Sequence, residues 1–223
     1  TDPLHLYLSS MKLVPSTVLL ALLTSAAAAQ VTPVATESFN YPIPGLFHGM
    51  TGGTGWSNAW YVDGAGNDDM VMFDNTILPN FPLSDGIGGH VGQANPYGSG
   101  YRQFDLGAHP DLVDPAVNMF GADGNTIWVS FSAQFYQGQP QEHYGGLSLW
   151  KAGAPNAEAL FLGSPWNSMG WGIDDEGGNG SPEVVAPGTD DSMATRLVYR
   201  IDFVPGMDRC RPWLVLNSSL SVG

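Results

Sequence analysis

The chain is poor in cysteine, in positive charge and in charged residues generally. Of its 223 residues, one is cysteine, seven are lysine or arginine and 21 are aspartate or glutamate, which gives a formal net charge of −14. A single cysteine excludes an internal disulfide, and we expect the thiol of Cys210 to be inert. A strongly acidic surface repels nucleic acid and anionic lipid, so both are poor partners.

Glycine, proline and aromatic residues take the place of helix formers. The chain has 29 glycines and 17 prolines, and 11% of its residues are aromatic. Short aromatic and β-branched runs are separated by turns rich in Gly, Pro, Asn and Asp, which predicts an all-β protein. A chain of this length is typical of one β-sandwich domain.

The beginning of the chain predicts export. Residues 11–29 combine a positively charged start, an apolar run and small residues before a cleavage site, as in a secretory signal peptide. The apolar run is too short to span a bilayer stably. We interpret residues 1–10 as an upstream extension outside the fold and residues 30–223 as a single secreted or cell-surface domain that does not insert into a membrane. Since the chain stops directly after a predicted strand, we expect its C-terminus to be truncated.

Two segments alternate apolar and polar residues with a period of two, which predicts half-buried strands. They are Thr126–Phe135 and Arg196–Val204. Further strands are predicted at Thr36–Tyr41, Gly55–Val62, Met70–Asp74, Tyr101–Leu106, Gly145–Lys151, Ala157–Gly163, Ser168–Asp174 and Trp213–Asn217, with a helical turn within Asp111–Met119. Such strands with short connections predict two antiparallel sheets packed face to face.

A glycine-dense turn leads into Trp56 and Trp60. We expect both indoles to lie on one face of the strand Gly55–Val62 and to pack mostly into the core. On the second clear strand, Arg200 and Asp202 share the polar face, where we expect an exposed ion pair of modest worth.

Several short motifs occur in an order that resembles one known family. They are Glu37–Tyr41, Gly52–Trp60, Asp123–Phe131, Tyr144–Leu149, Leu160–Gly163 with Trp171–Gly172, and Val198–Phe203. Together they resemble the concanavalin A-like lectin/glucanase (laminin G-like) domain of secreted bacterial proteins, whose members often carry a sorting signal of the PEP-CTERM type. The resemblance implies an all-β, two-sheet antiparallel jelly-roll sandwich. The sequence departs from the family in lacking the final strand and sorting tail, and in the segment Arg209–Leu216.

Two tryptophans are candidates for binding carbohydrate. Trp128 and Trp150 project from the polar sides of strands that we expect to be neighbours. Polar side chains that would bind sugar hydroxyls beside them are Ser130, Gln134 and Ser148. Aromatic rings and a few polar groups together fix the orientation of a ligand. The alternatives are that a loop covers the rings or that they pack as a cross-strand pair.

Two acidic, glycine-flanked segments are candidates for binding Ca²⁺, which prefers carboxylate, amide and carbonyl oxygens. They contain Asp63, Asn67, Asp68 and Asp69, and Asp174, Asp175, Glu176 and Asn179. We expect the second group to lie in a turn. Neither spacing matches a defined calcium loop, and ordinary turn chemistry is the alternative.

The sequence offers no catalytic constellation. Glucanases of the resembled fold place paired carboxylates on one strand face, as in Glu-x-Asp-x-x-Glu, and the sequence lacks that motif. We therefore expect a carbohydrate- or surface-polymer-binding module without enzymatic activity. The alternatives are a structural or adhesive exoprotein that displays loops and, less favoured, a glycoside hydrolase.

Overall fold

The computed structural model describes residues 33–42, 44–64, 66–68, 70–73, 90–93, 98–135, 144–150, 158–166, 168–175, 184–206 and 208–215. Apart from Pro33, these residues belong to one compact unit, Val34–Gly223. The predicted extension (1–10) and signal peptide (11–29) lie outside the described residues. Within the described part of the chain, no helix is long and apolar enough to cross a membrane.

The protein is all-β, and all of the described strand pairs are antiparallel. The strands are β1 Gly45–Leu46, β2 Tyr61–Val62, β3 Met70–Phe73, β4 His90–Gln93, β5 Gly100–Tyr101, β6 Val113–Asp114, β7 Met119–Phe120, β8 Thr126–Ala133, β9 Gly145–Trp150, β10 Glu158–Ser164, β11 Gly172–Asp175, β12 Val184–Val185, β13 Thr195–Asp202 and β14 Arg209–Val215. Short 3-10 helices span Leu106–Ala108 and Pro110–Leu112.

Two of the sheets share one hydrophobic core. The order in the first sheet is β14-β13-β8 and in the second β12-β11-β10-β9. Leu197 and Tyr199 of β13 are buried together with Leu162 of β10 and with Trp171, which precedes β11. The Tyr199 hydroxyl donates a hydrogen bond to the carbonyl oxygen of Gly172 at 3.1 Å and so connects the two sheets. Face-to-face sheets around a common core are compatible with a β-sandwich.

The two segments of clear alternation form the predicted strands. In β13, residues 195, 197, 199 and 201 are buried, whereas the four residues between and after them are only half-buried. In β8, the apolar residues Val129 and Phe131 pack against the same core while Trp128 and Ser130 are exposed. Alternation alone therefore identified both strands and their inner faces, within two residues at each end.

The segment that departs from the resembled family is a regular strand. β14 pairs with β13 from Arg209 opposite Asp202 to Val215 opposite Arg196. Pro212 lies within it, which is acceptable because β14 pairs with β13 alone among the described strands, and proline is tolerated on an edge strand. Strand β14 thus begins earlier than the predicted start at Trp213.

Of two strands predicted near the beginning of the domain, Thr36–Tyr41 is wrong, and Gly55–Val62 is confirmed only in its last two residues, which form β2. Within residues 36–41 and 55–60, the only strand-like contacts are isolated bridges that join Thr36 to Thr54 and Trp56 to Phe104. The reason is the backbone of Phe39 in the first segment and of Gly55 in the second, whose φ angles are +52° and +80°. Such angles belong to turns rather than strands, and glycine adopts them without steric cost.

Smaller differences concern boundaries. The predicted strand at 101–106 is β5 followed by a 3-10 turn, and the predicted helical turn within 111–119 is the 3-10 turn Pro110–Leu112 followed by the hairpin of β6 and β7. The strand expected at 168–174 is β11, which begins at Gly172.

A buried ion pair lies beside a second core cluster. Phe47, Val62 and Met72 form its buried centre. Beside it, the Arg102 Nη1 donates to Glu37 Oε2 at 2.9 Å, and the two side chains are 3% and 7% exposed. Burying a charge is costly unless the charge is paired and hydrogen-bonded, so the remaining bonds of the pair decide whether it is tolerated.

Glu37 accepts hydrogen bonds on both carboxylate oxygens. Its Oε1 accepts from the backbone N–H of Phe39 at 2.9 Å, and its Oε2 accepts from the Tyr41 hydroxyl at 2.7 Å and from the Trp60 indole at 2.9 Å. Burial, followed by the hydrogen bond to this carboxylate, raises the pKa of Tyr41 to about 12. Glu37 therefore holds together residues from three parts of the chain.

The guanidinium group of Arg102 also has several partners inside the protein. Its Nε donates to the carbonyl oxygen of Asn58 at 2.9 Å, and its Nη1 donates to that of Gly52 at 2.7 Å. Its guanidinium lies 5.1 Å from the ring centroid of Trp56 and 5.5 Å from that of Trp60, within the range of a cation–π contact. The two indoles, expected in a strand, are thus half-buried loop residues that enclose an arginine.

Replacing Arg102 by methionine tests this ion pair. The variant leaves the Glu37 carboxylate buried and uncompensated, and breaking a buried pair in this way costs about 3–5 kcal/mol. We expect a loss of that size in the free energy of unfolding measured in urea, and partial recovery when Glu37→Gln is added. The matched control is Arg196→Met, a half-buried arginine of β13, which should cost much less. Equal losses in the two variants would contradict the account.

Replacing Tyr199 by phenylalanine tests the contact between the two sheets. The variant keeps the ring but leaves the carbonyl oxygen of Gly172 without its donor, so we expect a loss of about 1 kcal/mol in the free energy of unfolding. The control is Tyr101→Phe, because the Tyr101 side chain is half exposed. A loss no larger than that of the control would show that the bond between the sheets contributes nothing.

Candidate functional site

The outer face of the sheet β14-β13-β8 carries Trp128 together with several polar and charged side chains. We call it the arginine face, and it carries Thr126, Trp128 and Ser130 of β8, Arg196, Val198, Arg200 and Asp202 of β13, and Arg209 and Arg211 of β14. These residues alternate with those that pack into the core, such as Tyr199 and Cys210. Period-two alternation on three paired strands therefore places them all on one side.

Trp128 lies near the middle of this face. Its side chain is 52% exposed, and it stands directly opposite Arg200 in the register of β8 and β13. The guanidinium carbon of Arg200 lies 5.8 Å from the centroid of the Trp128 ring. This contact is within cation–π range and helps to hold the ring in place on an open sheet face.

The predicted ion pair of Arg200 and Asp202 is present and holds Arg200 in turn. Arg200 Nε donates a hydrogen bond to Asp202 Oδ1 at 2.9 Å, and Arg200 Nη2 lies 2.8 Å from the same oxygen in the ion pair. The Thr126 hydroxyl donates to that oxygen as well, at 2.6 Å. The Thr126 bond first, then Arg200 and the nearby Arg211, lower the pKa of Asp202 below its ordinary value, so the carboxylate stays charged.

A groove of about 340 Å³ lies beside this network. The side chains that give it its chemistry are Thr126, Arg200, Asp202, Arg209 and Arg211. Arg209 and Arg211 are exposed, and within the described residues neither forms a salt bridge. The groove therefore presents three guanidinium groups and one carboxylate.

Two of the predicted sugar-binding side chains already have partners inside the protein. Ser130 Oγ accepts a hydrogen bond from Arg196 Nε at 2.8 Å, and Gln134 Nε2 donates to the carbonyl oxygen of Ser192 at 2.8 Å. Ser130 keeps its own hydroxyl proton to donate, because it acts only as an acceptor in this bond. Ser130 thus lies on the face of Trp128 as predicted, while Gln134 follows the end of β8.

The other predicted pair lies on the opposite sheet. Trp150 and Ser148 belong to β9, which pairs with β10 and not with β8. The expectation that Trp128 and Trp150 stand on neighbouring strands is therefore wrong. Trp150 is 55% exposed on the outer face of its own sheet, so the two indoles lie on opposite outer faces and cannot form one platform. Alternation placed each ring on an outer face correctly but carries no information on which strands pair.

The outer face around Trp150 is largely covered. Phe161 and Asp174 stand opposite one another on this face and are both buried. Tyr144 stacks on Phe161 with 4.3 Å between ring centroids, and its hydroxyl donates to Glu158, which is the register partner of Trp150. Trp150 is consequently an exposed ring beside a closed surface, unlike Trp128 on its open, polar sheet.

The first predicted calcium segment shows turn chemistry. Asp63 Oδ2 accepts from the Ser99 hydroxyl at 2.7 Å, and Asn67 adopts a left-handed φ of 54°, as turn asparagines often do. Asp68 is exposed, and Asp69 lies outside the described residues.

The second calcium segment differs from the expectation of a turn, because Asp174 and Asp175 are the last residues of strand β11. Glu176 and Asn179 lie outside the described residues. Among the described residues, no three His, Cys, Asp or Glu side chains are grouped so as to hold a metal ion. A calcium site that uses the remaining residues stays a prediction.

Cys210 faces the core beneath the arginine face. It packs against the cluster around Tyr199, and burial raises its pKa to about 11. Its thiol is therefore protonated at neutral pH, which favours the expected inert role.

No protein-family model, curated protein or solved structure matches this chain.

Arg209 and Arg211 are the functional candidates that sequence reasoning missed. They were part of a segment that did not fit the expected strand pattern. The signal that could have identified them is their i, i+2 spacing, which places both on one face once the segment is recognised as a strand.

Replacing Thr126 by valine tests the network that positions Arg200. The variant removes the bond with the largest effect on Asp202, so we expect its pKa, followed by ¹³C NMR of the carboxyl carbon, to rise towards the ordinary value of 3.8. Because folding lowers the pKa of Asp202, its charged carboxylate stabilises the fold at pH values above 3.8. This stabilisation is lost as the pH falls through the lowered pKa. The control Ser130→Ala, on the same face, should leave the titration unchanged. An unshifted Asp202 in Thr126→Val would contradict the network.

Proposed function

We propose that the protein is a secreted, non-catalytic module with a concanavalin A-like jelly-roll sandwich, which binds extracellular polysaccharide on the arginine face. The observation that carries the proposal is Trp128, a half-exposed ring on an open sheet face that is flanked by hydrogen-bonding side chains. Large exposed aromatic residues beside a few oriented polar groups are typical of ligand sites. Secretion depends on the signal-peptide pattern of residues 11–29.

The arginine face is a better site than the face around Trp150 for a physical reason. Binding favours groups that are already ordered, because ordering a side chain costs free energy on association. Trp128 is held by Arg200, and Arg200 is held by Asp202. Further hydrogen-bonding groups come from Ser130, two positions beyond Trp128 on β8, and from Arg196, four positions before Arg200 on β13. A sugar ring on Trp128 would therefore meet pre-positioned donors.

Replacing Trp128 by alanine tests the proposal, with Trp150→Ala as the matched control. Both rings are equally exposed on outer sheet faces, so the two changes remove similar surface. We expect Trp128→Ala to weaken binding to a retained polysaccharide by about tenfold, since losing an aromatic anchor costs more than about 1 kcal/mol. Trp150→Ala should bind as the wild type does, measured by isothermal titration calorimetry after screening on a glycan array.

The opposite ranking of the two variants would move the site to the other sheet. A blank array, with and without calcium, would contradict carbohydrate binding and favour the structural or adhesive exoprotein instead.

A further inference from the structure

The scarce positive charge of this chain is concentrated on one small surface. Of the seven lysines and arginines in a chain of net charge −14, four lie on the arginine face. They are Arg196 and Arg200 of β13 and Arg209 and Arg211 of β14. If the basic residues were spread evenly over the surface, each could form an ion pair with one of the 21 acidic residues more readily.

The register of the two strands brings like charges together. Arg200 stands directly opposite Arg211, and Arg209 opposite Asp202. Like charges on directly opposed strand positions destabilise a sheet. Asp202 already accepts hydrogen bonds from Arg200 and from Thr126, and it is the one carboxylate among the three guanidinium groups that line the groove. The arrangement leaves a surplus of positive charge that an external anion would neutralise.

We infer that the groove on the arginine face, lined by Arg200, Arg209 and Arg211, binds the carboxylate groups of an acidic polysaccharide whose sugar rings lie on Trp128. This inference rests on the proposed function and names the ligand class of that site. The guanidinium fork matches a carboxylate in a two-bond geometry and is more weakly hydrated than an ammonium group. Trp128, Arg200 and Arg211 lie on three successive strands and so span roughly 10 Å, a distance covered by a short run of sugars.

The overall charge argues against a nucleic acid in the same groove. Duplex DNA carries one negative charge for about every 1.7 Å of its axis, and its binding requires many phosphate contacts. The arginine face offers four cations within a strongly acidic protein, so the rest of the surface would repel a dense polyanion. A polysaccharide with one carboxylate on each ring carries its charge more sparsely and fits a small cationic patch.

The decisive probes are polygalacturonate and its fully methyl-esterified form, which share sugar rings and differ in charge. Alginate and hyaluronan serve as further acidic polymers, and a DNA oligonucleotide as a dense polyanion, all in the presence of a chelator and at two salt concentrations. We expect the wild type to bind at least one acidic polymer about tenfold more tightly than its neutral counterpart, with the preference falling as salt rises.

Arg211→Gln is the test variant, because Arg211 is exposed and lies on an edge strand, so the fold should tolerate the change. It should lose most of the preference for the acidic polymer. The control is Val117→Glu, which alters the net charge by the same amount at an exposed position between β6 and β7. This control should keep the preference.

The outcomes separate the two proposals. Equal binding of acid and ester, with loss of both in Trp128→Ala, would overturn the acidic ligand but keep carbohydrate binding. Equal effects of Arg211→Gln and Val117→Glu, or tighter binding of DNA, would also overturn the inference. Binding to none of these polymers and to no neutral glycan would overturn both proposals.

Discussion

The alternation of side chains along β13 is the constraint on which the larger part of the structure depends. One face of this strand supplies Leu197 and Tyr199 to the core between the two sheets, and the other presents Arg196 and Arg200 to solvent. The strand pairs along its whole length with β8 and along all but its first residue with β14. A slip of one residue would bury the arginines and expose the core, so the register is strongly fixed. The core and the proposed site are thus two faces of the same strand.

Arginine is used in two contrasting ways in this protein. Arg102 is buried, paired with Glu37 and bound by two carbonyl oxygens and two indole rings, so it is not accessible to an external ligand. The arginines of β14 are exposed and form no salt bridge among the described residues. The first arrangement stabilises a loop-rich region that has little regular strand structure. The second leaves charge available at the surface, which is the physical basis of the proposed binding of an acidic polymer.

Sequence reasoning succeeded where a local pattern decided the structure. Period-two alternation identified β8 and β13, together with their inner and outer faces. It failed at residues 36–41 and 55–60, which form only isolated bridges with other segments. There the side chains of Glu37 and Arg102 form hydrogen bonds with an indole and a backbone carbonyl, in place of the ladder of a regular strand pair. A buried ion pair between residues so distant in sequence leaves no local signal.

The candidate site was predictable only in part for the same reason. The outward direction of Trp128 and the Arg200–Asp202 pair follow from positions on one strand. Which strands pair with β8 does not follow from local sequence, because its partner β13 lies far away in the chain. This is why Trp128 and Trp150 were wrongly predicted on neighbouring strands. The arginine face likewise needs the register of β13 and β14, which periodicity does not contain.

Mapping the binding surface by NMR tests the central claim most directly. Backbone amide, tryptophan indole and arginine Nε signals would be followed while polygalacturonate oligomers are added to the full chain. The account predicts that the shifts concentrate on β13, β14 and the Trp128 indole, with the Trp150 indole unmoved. Shifts centred on Trp150 and β9, with the arginine signals of β13 and β14 unchanged, would contradict it.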